Sequence, residues 1–296
     1  MLDRIGFSRG RTRFTAISRF SGGVAAAILA LAIAAPASVP ASPTTAAAVR
    51  TVPGPAMWVI QDVDTTVYLF GTIHALDQNS AWFNRSVRAA FDSSDELVLE
   101  TLVPENPADL HSAIARHSAA KEPRIGEPVY ADRGGSSFVA SAGQAMSAGR
   151  DMGMSVDHGA DAVLRRAANA SGKPVAGLET FEFQLQMFRS LPPPPAAGRG
   201  GQRGGETGGF LGDMQSAWKR GDNAGFASIL GKIRSQSPQT YKTLFVDRNV
   251  NWAGWIANRM DQPGTVFIAV GTGHLIGPDS VQQHLAARGI NSARIS

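Results

Sequence analysis

The run Val266-Phe267-Ile268-Ala269-Val270, bounded by Gly264 and Gly271, constrains this chain more than any other segment. It is continuously apolar and does not alternate as a half-solvated strand does. Such a run suits a strand buried on both faces, as at the centre of a parallel sheet. Weaker β-prone runs precede it. Met57–Gln61 and Thr66–Phe70 flank Asp62-Val63-Asp64-Thr65 and read as a hairpin. Residues 96–100 and 173–178 read as two further strands. Helical stretches fall between them. Phe83, Val87 and Phe91 recur at i, i+4, i+8 behind a cap expected at Asn79 or Ser80. Further helices are expected from Pro107 to about Ala120, at 157–170, 180–190, 214–219 and 222–233, from Pro238 to about Met260, and from Pro278 or Asp279. Strands alternating with helices predict one α/β domain over 52–296, a mixed central β-sheet flanked by helices. Residues 121–152 are rich in Gly, Ser and Ala and carry no clear pattern.

Composition narrows the function classes. With no cysteine among 296 residues, disulfides, thiolate metal sites and cysteine nucleophiles are excluded. The net charge of +4 suggests a polyanion partner, but the excess is local. Residues 1–48 hold Arg4, Arg9, Arg11, Arg13 and Arg19 against Asp3; the remainder has 23 basic and 23 acidic residues. Nucleic acid is therefore not expected as a partner. The same stretch has the form of an export signal: a basic start, an apolar run from Val24 to Ala35, then small residues. Ala35-Pro36-Ala37 and Ala46-Ala47-Ala48 both offer cleavage sites. The apolar run falls short of the ~20 residues that span a bilayer. Residues 1–48 are thus read as a signal peptide with an Ala/Pro-rich tail. The mature chain is expected in the periplasm or outside the cell, with no stable membrane span. Residues 1–48 hold no twin-arginine pair and no lipidation cysteine. Pro192 to Pro195 open a Pro/Gly/Arg tract to about Gly209, read as a low-complexity insertion (192–209) unable to form a packed element.

Of the six histidines, His74 and His274 stand apart. Each closes a Gly-Thr-x-His box directly after an apolar strand. Ligands bind at the carboxyl ends of strands in open α/β sheets. If the two strands are neighbours, both imidazoles converge on one crevice; otherwise they are unrelated loop histidines. Glu100 ends a third apolar strand. Two imidazoles and a carboxylate suit a divalent metal that activates water. Arg248 and Asn249 fall on the same helical arc as Tyr241, Phe245, Trp252 and Ile256. A cation on a core face needs a partner. Arg248 is therefore expected to meet a carboxylate or to hold a substrate anion or oxyanion. Glu179 reads either as a second strand-end carboxylate or as an acid at a helix N-terminus, the latter being the simpler. His158, Asp157 and Asp161 read as a solvated cap, and His111, His117 and His284 carry no assigned role. No Gly-x-Ser-x-Gly elbow, P-loop, His-Glu-x-x-His or dinucleotide fingerprint is present.

These residues together resemble a known family. Trp58 to Glu100, with Gly71-Thr72-Ile73-His74 and the approach to Glu100, is similar to the TraB/GumN family, relatives of the Tiki metalloproteases. So are Gly159-Ala160-Asp161 through Leu178-Glu179-Thr180 and Gln184, the Trp218-Lys219-Arg220-Gly221-Asp222 turn, Arg248-Asn249, and Gly271-Thr272-Gly273-His274-Leu275 with Gly277. The likeness runs from about 56 to 294. It implies an EreA/ChaN-like α/β fold and a site built from His74, His274, Glu100 and Arg248. His74, His274 and Glu100 are then the metal ligands, and Glu100 and Arg248 the catalytic pair. Manganese or cobalt is the favoured ion, with zinc as an alternative. The substrate is a peptide or a small molecule. Two other functions sit on the same scaffold: a periplasmic protein that binds a ligand such as haem, and an accessory of polysaccharide export. This chain departs from the family pattern around 121–152 and in its Gly/Arg insertion.

Overall fold

The computed structural model describes residues 54–118, 147, 149–191 and 204–296. The expected leader and residues 192–203 of the expected insertion lie outside the described residues. The described chain forms one mixed α/β domain. Its main sheet uses β1 (Met57–Gln61), β2 (Thr65–Thr72), β4 (Glu96–Thr101), β6 (Val175–Glu179), β7 (Gly264–Gly271) and β8 (Ala293–Arg294), in the order β6-β4-β7-β2-β1-β8. β6, β4, β7 and β2 run parallel, and β1 and β8 add antiparallel edges. A two-stranded ribbon pairs β3 (Leu76–Asp77) with β5 (Met154–Ser155).

β7 lies between β4 and β2, with helices over both faces, as its unbroken apolar run requires. Val266, Ile268 and Val270 face one side, with Val67, Leu69 and Val98. There they meet Trp252 and Ile256 of α8 (Asp247–Met260) and Leu285 of α9 (Val281–Ala286). Phe267 and Ala269 face the other side, with Phe70, Leu97 and Leu99. Their cover comes from Phe91 of α1 (Arg85–Asp92), Leu164 of α3 (Ala160–Ser171) and Trp218 of α5 (Gly204–Lys219). The strict alternation of faces is the period-2 geometry of a strand.

Several boundaries differ from those the sequence predicts, three of them with a clear local cause or consequence. α1 is capped by Asn84, whose Oδ1 accepts from the Ser86 and Val87 N–H groups, and not by Asn79 or Ser80. Asn79 and Ser80 instead donate to the Asp77 carboxylate in a turn. α5 begins at Gly204, inside the tract read as unable to form an element. Gly weakens a helix by only about 1 kcal/mol per residue, and a packed segment such as the one carrying Trp218 can extend backward over such a cost. α9 starts at Val281, after Pro278 and Asp279. The long helix from Pro238 is present, built from α7 (Pro238–Tyr241), a π-helical turn (Lys242–Val246) and α8. Among the described residues no helix is long and apolar enough to cross a membrane.

Candidate functional site

The four parallel strands end side by side. β6 ends in Glu179, Glu100 sits near the end of β4, and β7 and β2 run into their Gly-Thr-x-His boxes. β2 and β7 are direct neighbours, with Thr72 opposite Gly271. The two histidines are therefore carried to one edge, though 200 positions separate them. Gly271 marks their meeting point. A Cβ there would lie 3.3 Å from Glu100 Oε2, 3.6 Å from His274 Cδ2 and 3.7 Å from His74 Nε2. Trp218 and Thr272 lock the boxes together: Trp218 Nε1 donates to Gly71 O at 2.7 Å and Thr272 Oγ1 to Thr72 O at 2.9 Å.

Arg248 is buried and fully engaged. Its Nε donates to both Glu179 oxygens and its Nη2 to Glu179 Oε2 at 2.8 Å and Glu100 Oε1 at 2.5 Å. Its Nη1 donates to Leu244 O at 3.1 Å and stands 3.2 Å from His274 Nε2. A guanidinium has five N–H donors, and all five point at protein acceptors, leaving none for an oxyanion. Of the partners expected for Arg248, the carboxylate is the one it meets, twice over, at Glu100 and Glu179. Glu179 is a strand-end carboxylate bound to Arg248, and Trp252 Nε1 donates to it at 3.0 Å. The first turn of α4 (Phe181–Ser190) is capped instead by Thr180.

The electrostatics follow from burial and these contacts. Burial disfavours the charged form of His274 and pushes its pKa down to about 3, so the ring is neutral. Asn249 Nδ2 donates to Asp279 O at 2.6 Å, which turns Asn249 Oδ1 toward His274 Nδ1, also at 2.6 Å. The His274 proton thus sits on Nδ1 and the lone pair on Nε2. Burial opposes ionisation of Glu100, but His274, Arg248 and His74 outweigh it and hold the carboxyl well below the usual range. Glu100 Oε1 also accepts from Gln184 Nε2 at 3.0 Å and Oε2 from the Gly271 N–H at 3.0 Å.

His74 is different: its side chain is 64% exposed, at the mouth of the crevice. Its Nδ1 lies 2.8 Å from Asp161 Oδ2, and that carboxylate raises the imidazole pKa. Asp161, expected with His158 and Asp157 in a solvated cap, is instead the partner of His74. The usable signal was Gly159, two residues before it. A Cβ at Gly159 would overlap the His74 carbonyl oxygen, and Ala160 N donates to Ile73 O at 2.9 Å. The start of α3 is therefore pressed onto the first box. His111 lies on α2 (Pro107–Ser118), His158 in a 3₁₀ turn (Val156–His158) and His284 on α9, on none of the elements that supply the site.

Two imidazoles and a carboxylate at one strand edge are donors of the type that divalent ions take. Each imidazole has Nδ1 held by an oxygen, an arrangement also found in metal-bound histidines. Arg248 Nη1 lies against His274 Nε2, and the raised pKa of His74 means that its Nε2 must give up a proton before it can ligate. Glu100 and Glu179 face the one guanidinium of Arg248, and His74, with its raised pKa, adds a second positive group near Glu100. The donors are not drawn into a cage: His274 Nε2 is 4.0 Å from Glu100 Oε2. Among the described residues no group of three His, Asp or Glu is gathered closely enough to hold an ion.

A parallel-strand edge bearing two Gly-Thr-x-His loops and a buried Glu–Arg–Glu triad defines an α/β protein with a strand-end imidazole–carboxylate site. The model of the TraB/PrgY/gumN family matches residues 56–123 and 135–294, and the chain belongs to that family. No curated protein and no solved structure matches it.

Proposed function

We propose that this chain is an exported metal-dependent hydrolase acting on an amide or ester carbonyl. The convergence of His74 Nε2, His274 and Glu100 Oε2 around Gly271 supports this reading. His74, His274 and Glu100 would hold the ion, with manganese or cobalt preferred over zinc. The ion, when bound, supplies water activated near neutral pH and polarises the carbonyl. Glu100 Oε2 keeps a lone pair beyond its bond from Gly271 and can ligate or accept a proton. Its lowered pKa favours ligation, because a strongly acidic carboxyl is a weak base at pH 7. Arg248 orients Glu100 and offsets its charge, Asn249 sets the His274 tautomer, and Asp161 positions His74. The amphiphilic start of the chain supports export to the periplasm or beyond.

A second reading is favoured by one contact: His274 Nε2 is already met by Arg248 Nη1. On that reading the crevice binds a ligand such as haem and performs no chemistry. Metal analysis with peptide turnover, with and without chelator, separates the two. Stoichiometric metal with chelator-sensitive turnover supports the hydrolase. A Soret band on haem titration without peptidase activity supports the binder and overturns the hydrolase.

A further inference from the structure

Beside His74 the surface opens into a cavity of about 470 Å³, within the range of small-molecule sites. Ile73 and Ala75, on either side of His74, form one wall. Met154 and Val156 form a second, and Leu211 and Met214 of α5 a third. The polar side chains at its edge are largely committed elsewhere. Gln215 Nε2 donates to Asp77 Oδ2 and Gln215 Oε1 accepts from the Asp77 N–H, while Ser155 Oγ accepts from the Asp157 N–H at 3.1 Å. Among the described residues no carboxylate lines the space; Arg150 brings a fixed positive charge to it, and His74, whose pKa Asp161 raises, is a second positive group at its edge. Two methionines give its walls the adaptability of an unbranched, polarisable side chain. Val156 is 48% exposed although apolar, so part of the lining faces solvent. The lining is therefore mainly apolar and adaptable, and the cavity shares His74 with the mouth of the candidate site.

We propose that this cavity receives a bulky apolar side chain of the substrate, a Phe, Leu or Met residue on the acyl side of the amide to be cut. The proposal rests on the hydrolase reading for the reaction and on the cavity alone for the specificity. In that reaction water adds to the carbonyl carbon and the C–N bond breaks. The acyl part leaves as a carboxylate and the amine takes up the proton. A positively charged side chain meets Arg150 and no carboxylate among the described lining residues, and glycine leaves the cavity unfilled.

The experiment has a binding arm that needs neither metal nor turnover. The chelator-treated full chain, labelled with ¹³C in its methionine methyls, is titrated with N-acetyl-phenylalaninamide or N-acetylglycinamide. Met154→Leu and Met214→Leu assign the two resonances. The expected result is saturable shifts at both methyls with the phenylalanine amide and none with the glycine amide. Val156→Glu sits at an exposed position and is expected to weaken the binding at least tenfold, because the apolar ligand must then share its site with a charge. Peptide anilides with Phe or Gly before the scissile bond form the second arm, with kcat/KM expected at least tenfold higher for Phe. Unmoved methyls with equal, chelator-sensitive turnover of both anilides would overturn the cavity proposal and leave the hydrolase standing. Shifted methyls lost in Val156→Glu, with no turnover of either anilide, would uphold the cavity and sink the hydrolase.

Discussion

Arg248 holds two carboxylates, Glu100 and Glu179, where water has little access. Removing it leaves both buried without a cation. Arg248→Met is therefore expected to cost about 3–5 kcal/mol in urea unfolding. Arg248→Lys is not expected to rescue it, because a point charge cannot reproduce the fork that reaches Glu179, Glu100 and Leu244 O. His74 gives the opposite result. Its exposed side chain predicts that His74→Ala costs no more than the ~1 kcal/mol of a solvent-screened ion pair, while metal uptake and turnover disappear. A collapsed melting curve for His74→Ala would make the residue structural. Gly159→Ala forces a methyl against the His74 carbonyl. An overpacking cost of about 1–3 kcal/mol is expected, with loss of metal uptake because the first box moves. Equal metal affinity in Gly159→Ala and the parent chain would show that the contact with α3 does not position His74.

Strand β7 and the turn around Asp77 carry the predictions at the level of the element. Ile268 is fully buried at the centre of β7. Ile268→Ala opens a cavity between the sheet and α8, and a loss of about 2–5 kcal/mol is expected by calorimetry or denaturant titration. Asp77 ties β3 to α5 by accepting from Lys219 Nζ at 2.8 Å and from Ser80 Oγ at 2.9 Å. The Lys219 hydrogen bond, helped by Ser80, lowers its pKa from 3.8 to about 2. A depressed acid stabilises the fold above its unfolded pKa and loses that contribution as pH falls through its folded value. Stability is therefore expected to drop between about pH 4 and pH 2, and Asp77→Asn to flatten that part of the profile. An unchanged acid limb in the variant would remove Asp77 from the account. The π-helical turn bears on the site from this scale too. It places Phe245 against His274, with ring centroids 5.1 Å apart, and Leu244 O under Arg248.

For the whole molecule, the prediction concerns the leader proposed for residues 1–48. Intact mass of the exported protein is expected to match a start after Ala37 or after Ala48, and recovery of the full-length chain from the cytosol would remove the export proposal. Much of the fold was legible because its signals are local. An unbroken apolar run, Val266–Val270, has to be covered on both faces wherever it lies, and the Gly-Thr-x-His boxes announce two strand ends. Arg248 and Asn249 showed on the helical wheel as polar groups on a core face, so partners had to exist. Which partners they are was settled by strand order. Placing β7 between β4 and β2 brings Glu100, His274 and His74 to one edge, and β6 beside β4 brings Glu179 under Arg248. The pairing of Asp161 with His74, 87 positions away, was decided in the same way, with Gly159 as its one local trace. Local sequence dictates which segments must be helix, strand or buried, because those choices depend on neighbours along the chain. The pairing of charges and imidazoles depends on neighbours across the sheet, and only the folded topology decides those.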